Sequence, residues 1–137
     1  MEAALTRTPI ATVGIAALLI ALAVAHPAHA QRAQAELACA GTITVHVYDC
    51  TVRLSRGGRP LEGARIVVGA DMPSMPLAHV VRPVTATPGA IAGEYTFRLA
   101  LEMSGRWAVK LRVEAPVRDQ LIVHYDFSET AASPARR

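Results

Sequence analysis

No dense run of basic residues broken by aromatics occurs in this chain, although its net charge is +3. The arginines are scattered (Arg53, Arg56, Arg59, Arg65, Arg82, Arg98, Arg106, Arg112, Arg118), which argues against a nucleic-acid footprint. The Arg136-Arg137 pair reads as a solvated end. No glycine-rich phosphate loop follows a strand-like run, and no Ser or Cys sits in a recognisable nucleophile motif. Acids are too sparse for paired carboxylates at acid–base spacing. These absences argue against an enzyme. A helical period is also missing beyond the first 30 residues. Aromatics make up 4% of the chain, with one Trp, so Trp107 and Tyr95 are expected to supply the largest pieces of buried area.

What is present begins with a leader. Arg7 precedes an uncharged apolar run centred on residues 10–25, followed by Pro27 and Ala28-His29-Ala30. A positive start, an apolar stretch and an Ala-x-Ala site describe a signal peptide over residues 1–30, cleaved after Ala30. The run also approaches the ~18–20 residues that span a bilayer, so an uncleaved anchor is the alternative. Either way the remainder is expected outside the cytoplasm, touching a membrane only through this segment. Residues 31–41 read as a short N-terminal segment, 42–128 as one domain and 129–137 as a flexible tail.

Within that domain the pattern is β. Thr42 to Tyr48 alternates apolar and polar residues, which predicts a strand with His46 on its polar face. Val52 to Ser55 is a second extended piece, because the apolar parity shifts near Tyr48-Asp49-Cys50. Arg56-Gly57-Gly58-Arg59-Pro60 is a turn with two glycines free to take positive φ. Ala64, Ile66, Val68 and Ala70 share one face of the next strand. Pro83 demotes Val80 to Thr87 to an edge or a bulge. Tyr95, Phe97, Leu99, Leu101 and Met103 share a parity, as do Trp107, Val109, Leu111 and Val113. With Ser104-Gly105-Arg106 between them, they predict a β-hairpin in which Met103 and Trp107 face the core. Leu121, Val123, Tyr125 and Phe127 line the last strand, and His124 falls on its polar face. About seven short strands with regular turn signals predict an all-β antiparallel sandwich.

Cys39 and Cys50 are the only cysteines. In an exported protein they suggest a disulfide. Along one straight strand their Cα atoms would lie more than ~30 Å apart at ~3.3 Å per residue, whereas a bridge needs less than ~7 Å. The bridge therefore requires the chain to turn back between them.

The stretch Asp71-Met72-Pro73-Ser74-Met75-Pro76-Leu77-Ala78-His79 interrupts the β pattern. Each Met precedes a proline and is pushed toward extended or polyproline geometry. At ~3.1 Å rise per residue that geometry puts Met72 and Met75 on one side, about 9 Å apart. With His79 they form a soft donor set suited to copper(I). Met is also a flexible core filler, and the loop could equally cap the core or dock a partner.

Four pieces of sequence, in order, resemble the YtkA-like family. They are Gly58-Arg59-Pro60-Leu61-Glu62-Gly63-Ala64-Arg65-Ile66-Val67-Val68, then Met72-Pro73-Ser74-Met75-Pro76 with His79 behind it, Gly93-Glu94-Tyr95, and Met103-Ser104-Gly105-Arg106-Trp107. Together they cover about Thr42 to Val113. The resemblance implies an immunoglobulin-like sandwich outside the cytoplasm. It also implies kinship with proteins of copper import, cytochrome oxidase assembly and heavy-metal efflux, with a cell-envelope protein as partner. Two readings stand: a copper(I) module using Met72, Met75 and His79, and a metal-free interaction or structural domain.

Overall fold

The computed structural model describes residues 31–136. The leader expected over residues 1–30, with its cleavage site, lies outside the described residues. The strands are β1 (Gln34–Gly41), β2 (Val47–Arg56), β3 (Arg59–Pro60), β4 (Arg65–Asp71), β5 (Val84–Thr85), β6 (Thr87–Pro88), β7 (Glu94–Ala100), β8 (Gly105–Ala115), β9 (Asp119–Phe127) and β10 (Ala132–Pro134). They form two antiparallel sheets. One runs β1-β2-β7-β6, with β3 on β2; the other runs β10-β9-β8-β4-β5. The expected all-β sandwich is what the chain forms.

The core lies between the sheets because each long strand alternates. Tyr48, Cys50, Val52 and Leu54 of β2 and Tyr95, Phe97 and Leu99 of β7 face inward from one side. Ile66 and Val68 of β4 meet them from the other, with Trp107, Val109, Leu111 and Val113 of β8. The indole N–H of Trp107 donates to the Met103 carbonyl at 3.2 Å, so its polar atom is satisfied without leaving the core.

Several expected elements are rearranged. The sandwich starts at Gln34, not Thr42, because β1 pairs with β2 along its whole length. Residues 42–46 are the turn between them, and Ile43 is fully exposed. The apparent parity break near Cys50 arises from that turn, since β2 itself is continuous. Its register puts Cys39 directly opposite Cys50. The two are joined as a disulfide with Cα atoms 4.1 Å apart. The chain does turn back, but before Tyr48 rather than after it.

The predicted β7–β8 hairpin is an arch instead. β7 pairs with β2 and β6, while β8 pairs with β4 and β9. Residues 101–104 carry the chain from one sheet to the other. Both strands bury one face against the same core, so alternation looks the same for an arch as for a hairpin. Val80 to Thr87 also changes sheet, as the dipeptide strands β5 and β6 around buried Ala86. The expected flexible tail contributes β10 to the edge of β9.

Two of the family motif pieces meet at the end where β1 begins, the base. The Tyr95 hydroxyl donates to the Leu61 carbonyl at 2.6 Å and accepts from the Ala64 amide at 2.8 Å. Gly93 lies at φ +76, where an added Cβ would sit 2.8 Å from both the Leu54 carbonyl oxygen and Pro60. Gly93→Ala is therefore expected to cost at least about 2 kcal/mol, from left-handed strain plus overpacking. The shift in urea midpoint measures it.

Asp119 closes the same end. Its carboxylate accepts from the Ala33 amide at 2.9 Å and the Gln120 amide at 2.8 Å. The Ala33 hydrogen bond is the main cause holding its pKa below the ordinary carboxylate value, with smaller help from Gln120, Arg32 and Arg56. A depressed carboxylate contributes stability that is complete above the ordinary value near ~3.9. That stability is lost as pH falls through the lower folded value. We expect the protection of the Ala33 amide against exchange, relative to its intrinsic rate, to fall below about pH 4, and Asp119→Ala to remove it at neutral pH too.

Candidate functional site

Opposite the base, four connections form a rim: residues 42–46, 72–79, 101–104 and 128–131. The arch at 101–104 holds the others in place. His79 Nδ1 lies 2.5 Å from Glu102 Oε2, which ties the Met-Pro loop to it. His46 Nε2 lies 3.2 Å from Ser104 Oγ, which ties the 42–46 turn. The His46 amide also donates to the Glu129 carbonyl at 3.0 Å, and its carbonyl accepts from Leu101 at 2.9 Å. His46 takes a left-handed φ of +60 to do so. It is a junction residue, where the alternation had placed it on the polar face of a strand. His124, by contrast, is an exposed histidine of β9. Beneath the rim the Tyr48 hydroxyl donates to the Ser128 carbonyl. Burial first, then the charge of Glu129, pushes that phenol above its ordinary value.

The Met-Pro loop does not adopt polyproline geometry. It makes two consecutive β-turns, with the Met75 amide donating to the Met72 carbonyl at 3.0 Å and the Ala78 amide to the Met75 carbonyl at 3.2 Å. Proline occupies the second position of each turn, where its fixed φ is preset. Leu77, third in the second turn, takes φ +70 and is 93% exposed.

This folding gives the three residues expected to share an ion different surroundings. Met72 is 4% exposed and belongs to the core cluster. Its methyl group lies where a Cβ on Gly105 would approach to 2.6 Å, so glycine at 105 makes room for it. Met75 is 36% exposed, and His79 is engaged by Glu102. As the side chains stand, Met72 lies in the core while Met75 reaches solvent. A shared ion would require the Met72 thioether to turn out of the core. Glu102 engages only Nδ1 of His79, and a carboxylate on one ring nitrogen is compatible with a ligand role for the other. Cys39 and Cys50 are spent on their disulfide. Among the described residues no group of three His, Cys, Asp or Glu side chains converges.

Met103 corrects an expectation in the other direction. It lies beyond the end of β7, in the arch, and is 36% exposed instead of buried. The rim thus displays Ile43, Val45, Leu77, Met75 and Met103, each on a connection between strands. Sequence reasoning missed Ile43 and Val45 because their alternation imitates a strand.

The packing gives a structural reason for much of the four motif pieces. Gly93 and Tyr95 lock the base, Gly105 seats Met72, and the Met103 carbonyl holds the Trp107 ring. What packing leaves unexplained is the outer part of the loop, from Met75 to Leu77. A family model described as YtkA-like matches residues 28–112, taking in β1 and all four motif pieces whole. No curated protein and no solved structure matches the chain.

Proposed function

The chain belongs to the YtkA-like family, and from that premise we propose that it is an exported, non-enzymatic β-sandwich of the cell envelope whose rim docks a protein partner. The observation carrying this reading is the exposure of aliphatic side chains on loops braced by side-chain contacts. Ile43 and Leu77 stand almost entirely in solvent on connections tied to one arch through Ser104 and Glu102. Covering either side chain would stabilise a complex by about 1.5–3 kcal/mol, and little ordering entropy opposes it when the loops are already held. The partner would be a component of metal efflux or oxidase assembly, as the family kinship suggests.

A photo-cross-linking residue in place of Leu77 tests the reading in the native envelope. We expect a discrete cross-linked protein from position 77 and none from position 117, at the base. Equal labelling from both positions, or none from 77, refutes it.

A second reading, copper(I) handling, draws on the two thioethers of Met75 and Met103, which share the rim with His46 and His79. Titration with copper(I) against a competing chelator decides it. Affinity lost in Met75→Leu/Met103→Leu supports the reading, and affinity equal to that variant's rejects it.

A further inference from the structure

The two ends of the sandwich differ in charge as sharply as in hydrophobicity. The four rim connections contain no Lys or Arg, and their only formal charges are those of Glu102 and Glu129. The nearest cations below them are neutralised: Arg106 forms a two-pronged pair with Asp126 at 2.9 and 3.1 Å, and Lys110 pairs with Asp71. Arg98 is likewise held by Asp49 at 2.7 Å. Arg82, on the edge segment, and Arg136, which lines a groove with Pro73 of the Met-Pro loop, are the nearest cations below the rim without an ion-pair partner among the described residues. The base carries Arg32, Arg56, Arg59 and Arg118 against Glu62 and Asp119. A chain of net charge +3 therefore presents a locally acidic, aliphatic rim.

Building on the docking reading, we infer that the rim takes a protein segment whose aliphatic anchors are flanked by Lys or Arg side chains. Charge complementarity is the warrant. A cationic neighbour lowers the cost of placing Glu102 and Glu129 beside an apolar contact, whereas an acidic one meets like charge. The same charges disfavour an anionic lipid surface, which interfacial binding elements meet with basic residues. The Arg-bearing base suits such a surface better, and it is also where the chain enters the sandwich, at Ala33.

The test uses the protein purified from an exporting host and three probes: a labelled alternating Leu/Lys peptide, its Leu/Glu counterpart, and phosphatidylcholine vesicles containing phosphatidylglycerol. Fluorescence anisotropy should show the Leu/Lys peptide binding at least about tenfold more tightly than the Leu/Glu peptide, and weakening as salt rises. Ile43→Ser/Leu77→Ser should remove that binding, and Ile91→Ser/Val117→Ser at the base should leave it. Equal binding of the two peptides overturns the charge inference, as does Leu/Lys binding indifferent to the rim variant. Vesicle binding abolished by the rim variant would make the rim a membrane contact instead. If neither peptide binds while position 77 still cross-links a protein, this inference fails and the docking reading survives.

Discussion

Trp107→Ala is expected to destabilise the domain by about 3–5 kcal/mol, the range for deleting a large buried aromatic. The indole is wholly inaccessible and sits at the start of β8, where four structural features meet. β8 leaves the arch there, Tyr125 stands opposite on β9, Met72 packs nearby against Gly105, and the ring N–H holds the Met103 carbonyl. Removing the ring leaves a cavity and strips that carbonyl of its partner. A domain of this size is usually stable by about 5–15 kcal/mol, so the loss is a large share of the total. Urea denaturation followed by tyrosine fluorescence or circular dichroism measures it. Trp107→Phe keeps most of the volume and should recover more than half of the loss. A midpoint unchanged by Trp107→Ala would mean that the two sheets do not close over this residue.

The second large effect concerns the Cys39–Cys50 disulfide. It closes a loop of 11 residues' separation and joins the edge strand β1 to its ladder partner β2. Constraining the unfolded chain over so short a loop is worth somewhat under ~3 kcal/mol. Cys39→Ala/Cys50→Ala should therefore lose about 2–3 kcal/mol, including the packing lost where Cys50 faces the core. A reductant separates the contributions. It should destabilise the natural protein by nearly the same amount and leave the double variant unmoved. If a reductant does nothing to the natural protein, the disulfide is not formed in solution.

How much of this was readable in advance varies by residue. The inward sets of β4, β8 and β9 follow directly from alternation, since period two is a local property of one strand. The Gly57-Gly58 turn follows from the ease with which glycine takes positive φ, and both glycines have it. β1 was not readable. Ala, Glu, Cys and Gly have weak strand preference, and pairing with β2 supplies what local propensity does not. Ile43 and Val45 misled for the opposite reason, because aliphatic alternation looks the same whether the apolar side is covered or bare. The outer Met-Pro loop was identified as the place to look, but its geometry was not. Met-Pro steps favour extended backbone, whereas hydrogen bonds from Met75 to Met72 and from Ala78 to Met75 fold it into turns.

From residue order alone came the β class, the inward faces of the long strands, the requirement that the chain double back before a Cys39–Cys50 bond, and membership of one family. Each depends on neighbours along the chain. Whether β7 continues into a hairpin or crosses to the other sheet, and whether Met72 meets solvent or core, were settled by contacts between residues far apart in sequence. Such contacts exist only when both layers are assembled. The same is true of the acidic, aliphatic rim, which gathers side chains from four separate connections.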